Sequence, residues 1–286
     1  MPVALITGAS TGIGRATTLR LAKNGWTVLA GVRDPAAGES LLAEAPSPGR
    51  VVALTLDVTD AEQIARAAQK VDEETAEAGQ PGSGRLDALV NNAGIGIGGP
   101  LEIIPLDEVR RQFEVNVFGQ IAVTQALLPA LRRAHGRVVL VSSIGGRVPI
   151  AFTAPYAASK HALEAIGDAL RVELHSSNVQ VALIEMASVA TPIWGKAQAE
   201  AERVNIPPEL EPVYGQALTG MEKAMNDAAQ NGIPVEQLAE TIEGALTSPR
   251  MKARYLVGRR AKQMLLAKRL LPDRVFDRVI RRNLGL

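Results

Sequence analysis

Tyr156-Ala-Ala-Ser-Lys160, preceded by Ser143 thirteen residues before the tyrosine, sets a phenol, an ammonium and a hydroxyl close together in the chain. Residues four apart share one face of a helix, so the Lys160 ammonium can sit near the Tyr156 oxygen. Tyrosine alone is a poor acid or base at neutral pH: its unperturbed pKa is about 10, and a neighbouring cation favours the phenolate. A shift of roughly three units takes about 4 kcal/mol of differential stabilisation, which a fixed lysine together with a positively charged ligand could supply. Standing alone, a tyrosine and a lysine at this spacing would read as an amphipathic surface pair. Their company decides the matter.

A second candidate lies at the start of the chain, Thr7-Gly-Ala-Ser-Thr-Gly-Ile-Gly14. Gly8, Gly12 and Gly14 permit backbone conformations and close approaches that a β-carbon would obstruct. A helix opening there presents free N–H groups and about half a positive charge to a pyrophosphate. A triphosphate-binding loop would need Gly-Lys-Ser/Thr, and Gly14 is followed by Arg15-Ala16, which excludes it. The spacing also differs from the common G-x-G-x-x-G pattern.

These residues must be positioned by strands and helices, and the sequence alternates between the two. Val3–Ile6 is a short apolar run that ends at the glycines, as a buried parallel strand does. Residues 13–24 read as a helix closed by Gly25. Further strands are expected at 27–32, 51–56, 86–90, 137–141 and 179–184. Asp60 caps a helix to about residue 78, a long helix covers 106–133, and residues 155–177 form the helix carrying Tyr156 and Lys160. Strands that are nearly continuous apolar runs imply a parallel sheet covered on both faces. Ligands of such sheets bind at the carboxyl ends of the strands. Gly8–Gly14, Arg33, Asp57, Asn91–Gly94 and Ser143 all fall at such ends.

Together Thr7–Gly14, Asn91–Gly94, Asn116, Ser143, Tyr156 and Lys160 resemble the short-chain dehydrogenase/reductase family over roughly residues 3–192. The resemblance implies a Rossmann-type doubly wound α/β fold, a seven-stranded parallel sheet in the order 3-2-1-4-5-6-7, and a nicotinamide cofactor. It implies that Ser143, Tyr156, Lys160 and Asn116 are the catalytic set. Tyr156 exchanges the proton, Lys160 supports it electrostatically and holds the nicotinamide ribose, and Ser143 fixes the substrate oxygen. Asn116 holds a water linking Lys160 to solvent. Ser142 competes with Ser143, and the thirteen-residue spacing to the tyrosine favours Ser143. Cofactor contacts are expected from Gly8, Ser10, Thr11, Gly12, Ile13, Gly14, Arg33, Asp57, Val58, Asn91, Ala93, Gly94 and Thr191, besides Tyr156 and Lys160, with Asn91 expected to stabilise the sheet centrally as much as to touch the ligand.

Where members using NAD carry an acid, this chain has Val32, followed by Arg33. A guanidinium can hydrogen-bond a 2′-phosphate that an acid would repel, so NADP(H) is expected. Asp34 is the residue that could favour NAD(H) instead. Another departure is Met186-Ala187, where the family commonly has Pro-Gly after strand six; Met186 is then free to widen the apolar wall of a substrate pocket. The chain further resembles the 17β-hydroxysteroid and retinol dehydrogenase branch through Gly31-Val-Arg33 and its ending from Arg254. That suggests a hydrophobic alcohol or ketone, steroid, retinoid or lipid-like.

The composition agrees with this frame. The 286 residues, 47% of them hydrophobic but only 3% aromatic, suit one α/β domain whose core is Ala, Val, Leu and Ile. With no cysteine, disulfides and thiolate catalysis are excluded. His135, His161 and His175 show no metal-ligand spacing, so no metal is expected. There is no signal-like start and no run of roughly 20 apolar residues, which makes a cytoplasmic protein the expectation. Residues 188–230 are expected to form a helical substrate lid that includes Trp194, Tyr214 and Met221.

Net charge is +1, but residues 250–286 hold 12 Lys or Arg against 2 Asp. This basic amphipathic C-terminal helix, 260–286, can bind an anionic membrane surface or pack its apolar side on the domain with its cations solvated; the second reading is favoured. Nucleic acid is disfavoured for lack of a recognition motif, and a homodimer or homotetramer follows only from the resemblance. The rival functions are a cofactor-binding sensor or scaffold without turnover, and dehalogenation on the same fold. The intact Ser143, Tyr156, Lys160 set and the dinucleotide turn argue against both.

Overall fold

The strand-and-helix alternation builds one seven-stranded parallel sheet, in a computed structural model that describes residues 1–77, 80–189 and 206–284. In chain order come β1 (Val3–Thr7), α1 (Gly12–Lys23), β2 (Thr27–Val32), α2 (Pro35–Ala43), β3 (Arg50–Thr55), α3 (Ala61–Thr75) and β4 (Ala88–Asn91). Then follow α4 (Leu106–Phe113), a π-helical segment (Glu114–Phe118), α5 (Gly119–Ala134), β5 (Arg137–Val141), α6 (Ala154–Glu173) and β6 (Gln180–Met186). The chain continues with α7 (Glu211–Asn231), α8 (Val235–Thr247), β7 (Arg254–Val257), α9 (Ala261–Leu270) and α10 (Asp273–Asn283).

The sheet order is β3-β2-β1-β4-β5-β6-β7, with Ile6 opposite both Ala30 and Val90. Strand order therefore reverses beside β1, and a crevice opens at the carboxyl ends of β1 and β4. Both faces of the sheet are covered. Leu21 of α1, Leu41 of α2 and Ile242 of α8 pack on one side, while Ile64 of α3 and Leu127 and Leu131 of α5 pack on the other. Leu21, Leu41, Leu131 and Ile242 are fully buried, each side chain contributing about 1.5–3 kcal/mol relative to exposure. Asp60 caps α3 as expected, accepting from the Glu62 and Gln63 amides at 2.9 and 3.0 Å.

Several elements depart from the sequence expectations, each for a local reason. Helix α2 starts where Asp34 accepts from the Ala36 amide at 3.0 Å and Pro35 occupies the first turn, a start signal that the following Pro-Gly loop obscures. The long helix runs from 106 to 134 but widens into the π segment around Asn116; such segments concentrate at functional sites. Strand β6 extends through Met186, paired with Val257, and the next amide, Ala187, donates to the Val257 carbonyl at 2.8 Å. The Ala187 methyl occupies room that Gly258 leaves, since a Cβ on Gly258 would lie 2.7 Å from it. The basic C-terminal block is two helices, not one, because Leu271-Pro272 interrupts it. Met264, Leu265, Phe276 and Ile280 pack on Ile144, Val148 and Leu256, the second of the two arrangements considered for it. Leu266 and Leu270 stay exposed. Among the described residues no helix is long and apolar enough to cross a membrane.

Candidate active site

Four loops meet at the carboxyl edge of the sheet and line a cleft. Its walls are Gly8, Ser10, Thr11, Gly12 and Ile13 after β1, Arg33 after β2, and Leu56, Asp57 and Val58 after β3. Asn92, Ala93, Gly94 and Ile95 after β4, with Tyr156, Lys160 and Met186, complete it. The turn has no room for β-carbons. One on Gly8 (φ +65°) would lie 2.9 Å from the Ala93 Cα, and one on Gly14 only 2.3 Å from the Gly8 carbonyl oxygen. Thr11 precedes α1 without a side-chain cap, and the first turn holds no acid, so its amide donors suit an anion. Glycines, uncapped amides and the Arg33 cation make a donor set that fits a dinucleotide phosphate backbone.

The positions around the turn are fixed by hydrogen bonds. The Thr7 hydroxyl accepts from the Asn92 and Ala93 amides, both at 3.0 Å. The Asn92 carboxamide donates to the Thr7 and Gly8 carbonyls at 2.9 and 3.0 Å. Asn91 does not line the cleft: fully buried, it donates to the Thr124 hydroxyl at 2.8 Å. Neighbouring residues of a strand point to opposite faces, so only one of the two asparagines can reach the turn. It is Asn92. Gly14 likewise works by backbone packing rather than as lining. Thr191 lies outside the described residues.

Tyr156 is half-buried at the cleft's inner end, with its hydroxyl beside Ser143. Ser143 also accepts from the Gly145 amide at 3.1 Å. Ser142, fully buried, turns the other way, against Glu164. Lys160 is 4% exposed, and its Nζ donates to the Val141 carbonyl at 2.8 Å and lies 5.9 Å from the Tyr156 ring centre. Burial pulls the Lys160 pKa down to about 8, partly offset by the Glu164 charge. The expected lowering of the phenol is not what these side chains supply. Burial pushes the Tyr156 pKa up, and the neighbouring Ser143 hydroxyl pulls it partly back. Lys160 is held by a backbone carbonyl under the tyrosine rather than at its oxygen.

Asn116 sits in the π segment and is fully buried. Its Oδ1 accepts from the Ile95 amide at 2.8 Å, while Nδ2 donates to the Ile95 carbonyl at 3.0 Å and to Ser159 Oγ at 3.1 Å. Gln112 adds bonds to the Ile97 amide and the Ile95 carbonyl. Asn116 therefore ties the loop after β4 to α6, close to Gly94 and the Lys160 ammonium.

On the far side of Tyr156 lies a second cavity of about 630 Å³, lined by Ser143 and sharing Tyr156 and Met186 with the cleft. Helix α7 closes it with Met225, Asp227 and Asn231. The start of α7 is tied down by Tyr214, which donates to Glu102 at 2.5 Å and meets Phe152 edge-on at 6.2 Å. Of the 188–230 stretch expected to form a lid, the described part over this cavity is α7. Trp194 lies outside the described residues.

A phosphate-type turn, a Ser143–Tyr156–Lys160 group and a cavity joined at Tyr156 form one continuous site. The sequence pattern of the short chain dehydrogenase family matches residues 2–202. This chain belongs to that family. It is 34% identical to an NADPH-dependent 3-dehydrocapnine reductase from Ornithobacterium rhinotracheale, across 99% of this chain and 98% of the relative. Retinol dehydrogenase 5 of Mus musculus is 35% identical, over 96% and 86% of the two chains. The crystal structure of a short-chain dehydrogenase from Streptomyces avermitilis superposes with a TM-score of 0.75 at 30% identity, covering 97% and 94%. The short-chain dehydrogenase is therefore an oxidoreductase working between hydroxyl and carbonyl groups.

Sequence reasoning missed a charged network beneath the site of this short-chain dehydrogenase. Arg254, from β7, reaches Glu164 at 3.1 Å, Glu185 at 3.0 Å and Asp168 at 2.7 Å. Arg147 joins Glu185 at 2.8 Å. Glu164 and Glu185 are 6% and 2% exposed, so the two buried carboxylates depend on these guanidiniums. Burial, with Glu185 adding, pushes Glu164 up against the pull of Ser142 and Arg254. Glu164 stands four residues beyond Lys160, and that spacing was the one signal in the sequence.

Proposed function

We propose that the chain is an NADP(H)-dependent oxidoreductase acting on a hydrophobic alcohol or ketone, steroid, retinoid or lipid-like. The observation that carries this reading is the double exposure of Tyr156, which forms a wall of both the glycine-lined cleft and the apolar cavity. Gly8 to Gly14 would hold the pyrophosphate, Arg33 the 2′-phosphate, and Asp57 and Val58 the adenine. Ala93, Gly94, Tyr156 and Lys160 would hold the nicotinamide ribose side. NADP(H) is favoured over NAD(H) because Arg33 lines the cleft, while Asp34 is engaged in capping α2. The NADPH dependence of a relative at 34% identity supports the same choice. When bound, the nicotinamide supplies hydride chemistry.

The side chains supply the proton. Burial keeps the Tyr156 phenol protonated at neutral pH, so it is ready to donate to a carbonyl oxygen in the cavity. Ser143, beside the Tyr156 hydroxyl, presents its own hydroxyl to the same oxygen. Lys160, an ammonium below about pH 8, stabilises the negative charge that develops on the phenol as it gives up its proton. Asn116 holds the loop that shapes the pocket behind them. The cavity volume of about 630 Å³ lies in the range of small-molecule sites, and its apolar wall suits a hydrophobic body. Tyr156→Phe tests the reading: kcat for ketone reduction with NADPH should fall by about 10²–10⁴-fold, with dinucleotide affinity and melting temperature kept. Near-normal turnover would sink it.

A further inference from the structure

The cavity beyond Tyr156 is apolar along most of its wall, through Ile97, Val148, Ile150, Val189, Met225 and Met264. A neutral steroid- or lipid-like body needs nothing more. Yet Arg259 and Arg260, in the turn from β7 to α9, line the same cavity. The third charged residue of the described wall is Asp227, whose carboxylate accepts from Asn231 at 2.7 Å. Even with Asp227 counted in full, the charged wall carries one net positive charge. We propose that the substrate is an apolar alcohol or ketone that also bears an anionic group, a carboxylate or a similar oxyanion, read by Arg259 and Arg260. This rests on the oxidoreductase reading given above.

Three observations support the assignment. First, neither arginine has an ion-pair partner among the described residues, whereas Arg254, five residues earlier, is bound to three carboxylates. Lys268, on the same helix α9, is paired with Asp273 at 2.8 Å. Second, a guanidinium is the side chain best matched to a planar oxyanion, through two parallel N–H donors. Third, Arg260, just before α9, and Met264, in its first turns, both line the cavity. Cation and apolar wall are thus offered to one ligand, with the reacting group at Tyr156 and Ser143 and the charge at the end formed by α9. Apolar pockets with a few placed polar groups gain orientation from those groups. An anion held at the arginine end would fix how far the chain enters, and so which carbon meets Tyr156.

The experiment measures binding apart from turnover. Decanoate and decanol are titrated calorimetrically into the full chain with NADP+ added, in wild type and in an Arg259→Ala/Arg260→Ala variant. The variant is expected to weaken decanoate by about 10–100-fold, the net worth of a charge-assisted hydrogen bond, and to leave decanol within twofold. Unchanged decanol affinity also shows that the variant is folded. Equal effects on the two ligands, no effect on either, or failure of wild type to bind decanoate would each overturn the proposal. A second arm offers 9-oxodecanoate and its methyl ester with NADPH. Reduction of the acid with a higher kcat/KM than the ester, lost in the variant, extends the result to catalysis. If the calorimetric pattern holds and neither ketone is consumed, the anion site stands and the carbonyl-reduction reading is the part that fails.

Discussion

The cleft over Gly8–Gly14 and the cavity under α7 meet at Tyr156 and Met186, but they are built from different materials. The cleft is made of backbone. Its shape depends on the absence of β-carbons at Gly8 and Gly14 and on the Thr7–Asn92 bonds that hold two loops together. The cavity is shaped by side chains, its apolar wall built of Ile, Val and Met, any of which could be exchanged for another apolar residue of similar volume. A backbone site admits few residue types, and its residues are visible one by one. A side-chain site admits many, and only its general character is visible.

A single methyl group in each region should break or confirm this contrast. At Gly14 the obstacle to a Cβ is a backbone oxygen at 2.3 Å, and the side-chain Nδ2 of Asn92 stands at 2.6 Å. Neither can step aside without opening the Thr7–Asn92 lock. Gly14→Ala should therefore cost about 3 kcal/mol or more, read as a loss beyond 100-fold in NADPH affinity by fluorescence titration. Met225→Leu, a volume-conserving exchange in the cavity wall, should cost below about 1.5 kcal/mol in stability and change kcat/KM for a hydrophobic ketone by a few-fold at most. Comparable losses from the two would mean that the cavity is as tightly specified as the cleft.

The same contrast explains what was legible beforehand. The first six strands, the Asp60 cap and the Ser143–Tyr156–Lys160 group were visible, because each requires a particular residue or a long apolar run, whereas the order of the seven strands came only with the family resemblance. Strand β7 was not placed from its own sequence, Arg254-Tyr-Leu-Val257 being four residues of mixed polarity whose pairing with β6 is a tertiary matter. The structural half of the Asn91 expectation holds, in its bond to Thr124; Asn92 was not singled out because strand parity depends on where β4 ends, one residue later than its apolar run suggests. The fate of Asp34 was hidden because capping and ribose contact ask for the same side chain. Its engagement in α2 is the reason Arg33 is proposed to set cofactor choice. Arg33→Ala should lower kcat/KM for NADPH by about 10–100-fold, the worth of a charge-assisted hydrogen bond, with NADH changed little. Equal losses with the two dinucleotides would remove Arg33 from that role.

The smallest effect concerns the point where the two regions join. Lys160 serves the cleft, but its charge is set from beneath by Glu164, part of the Arg254 network. Burial lowers the Lys160 pKa to about 8, so the ammonium is present below that pH and lost above it. Reduction should then run at a plateau below about pH 8, with kcat/KM falling as pH rises through it. Glu164 raises the Lys160 pKa; removing its charge lets burial act unopposed and moves the pKa down. Glu164→Gln should shift the falling limb toward acid, giving a loss of a few-fold at pH 8 and almost none at pH 6. The amide keeps a partner for Arg254, so the fold should hold, which a thermal melt would verify. A uniform loss at every pH would mean that Glu164 serves only the β7 network, and that what lies beneath the cleft does not tune its chemistry.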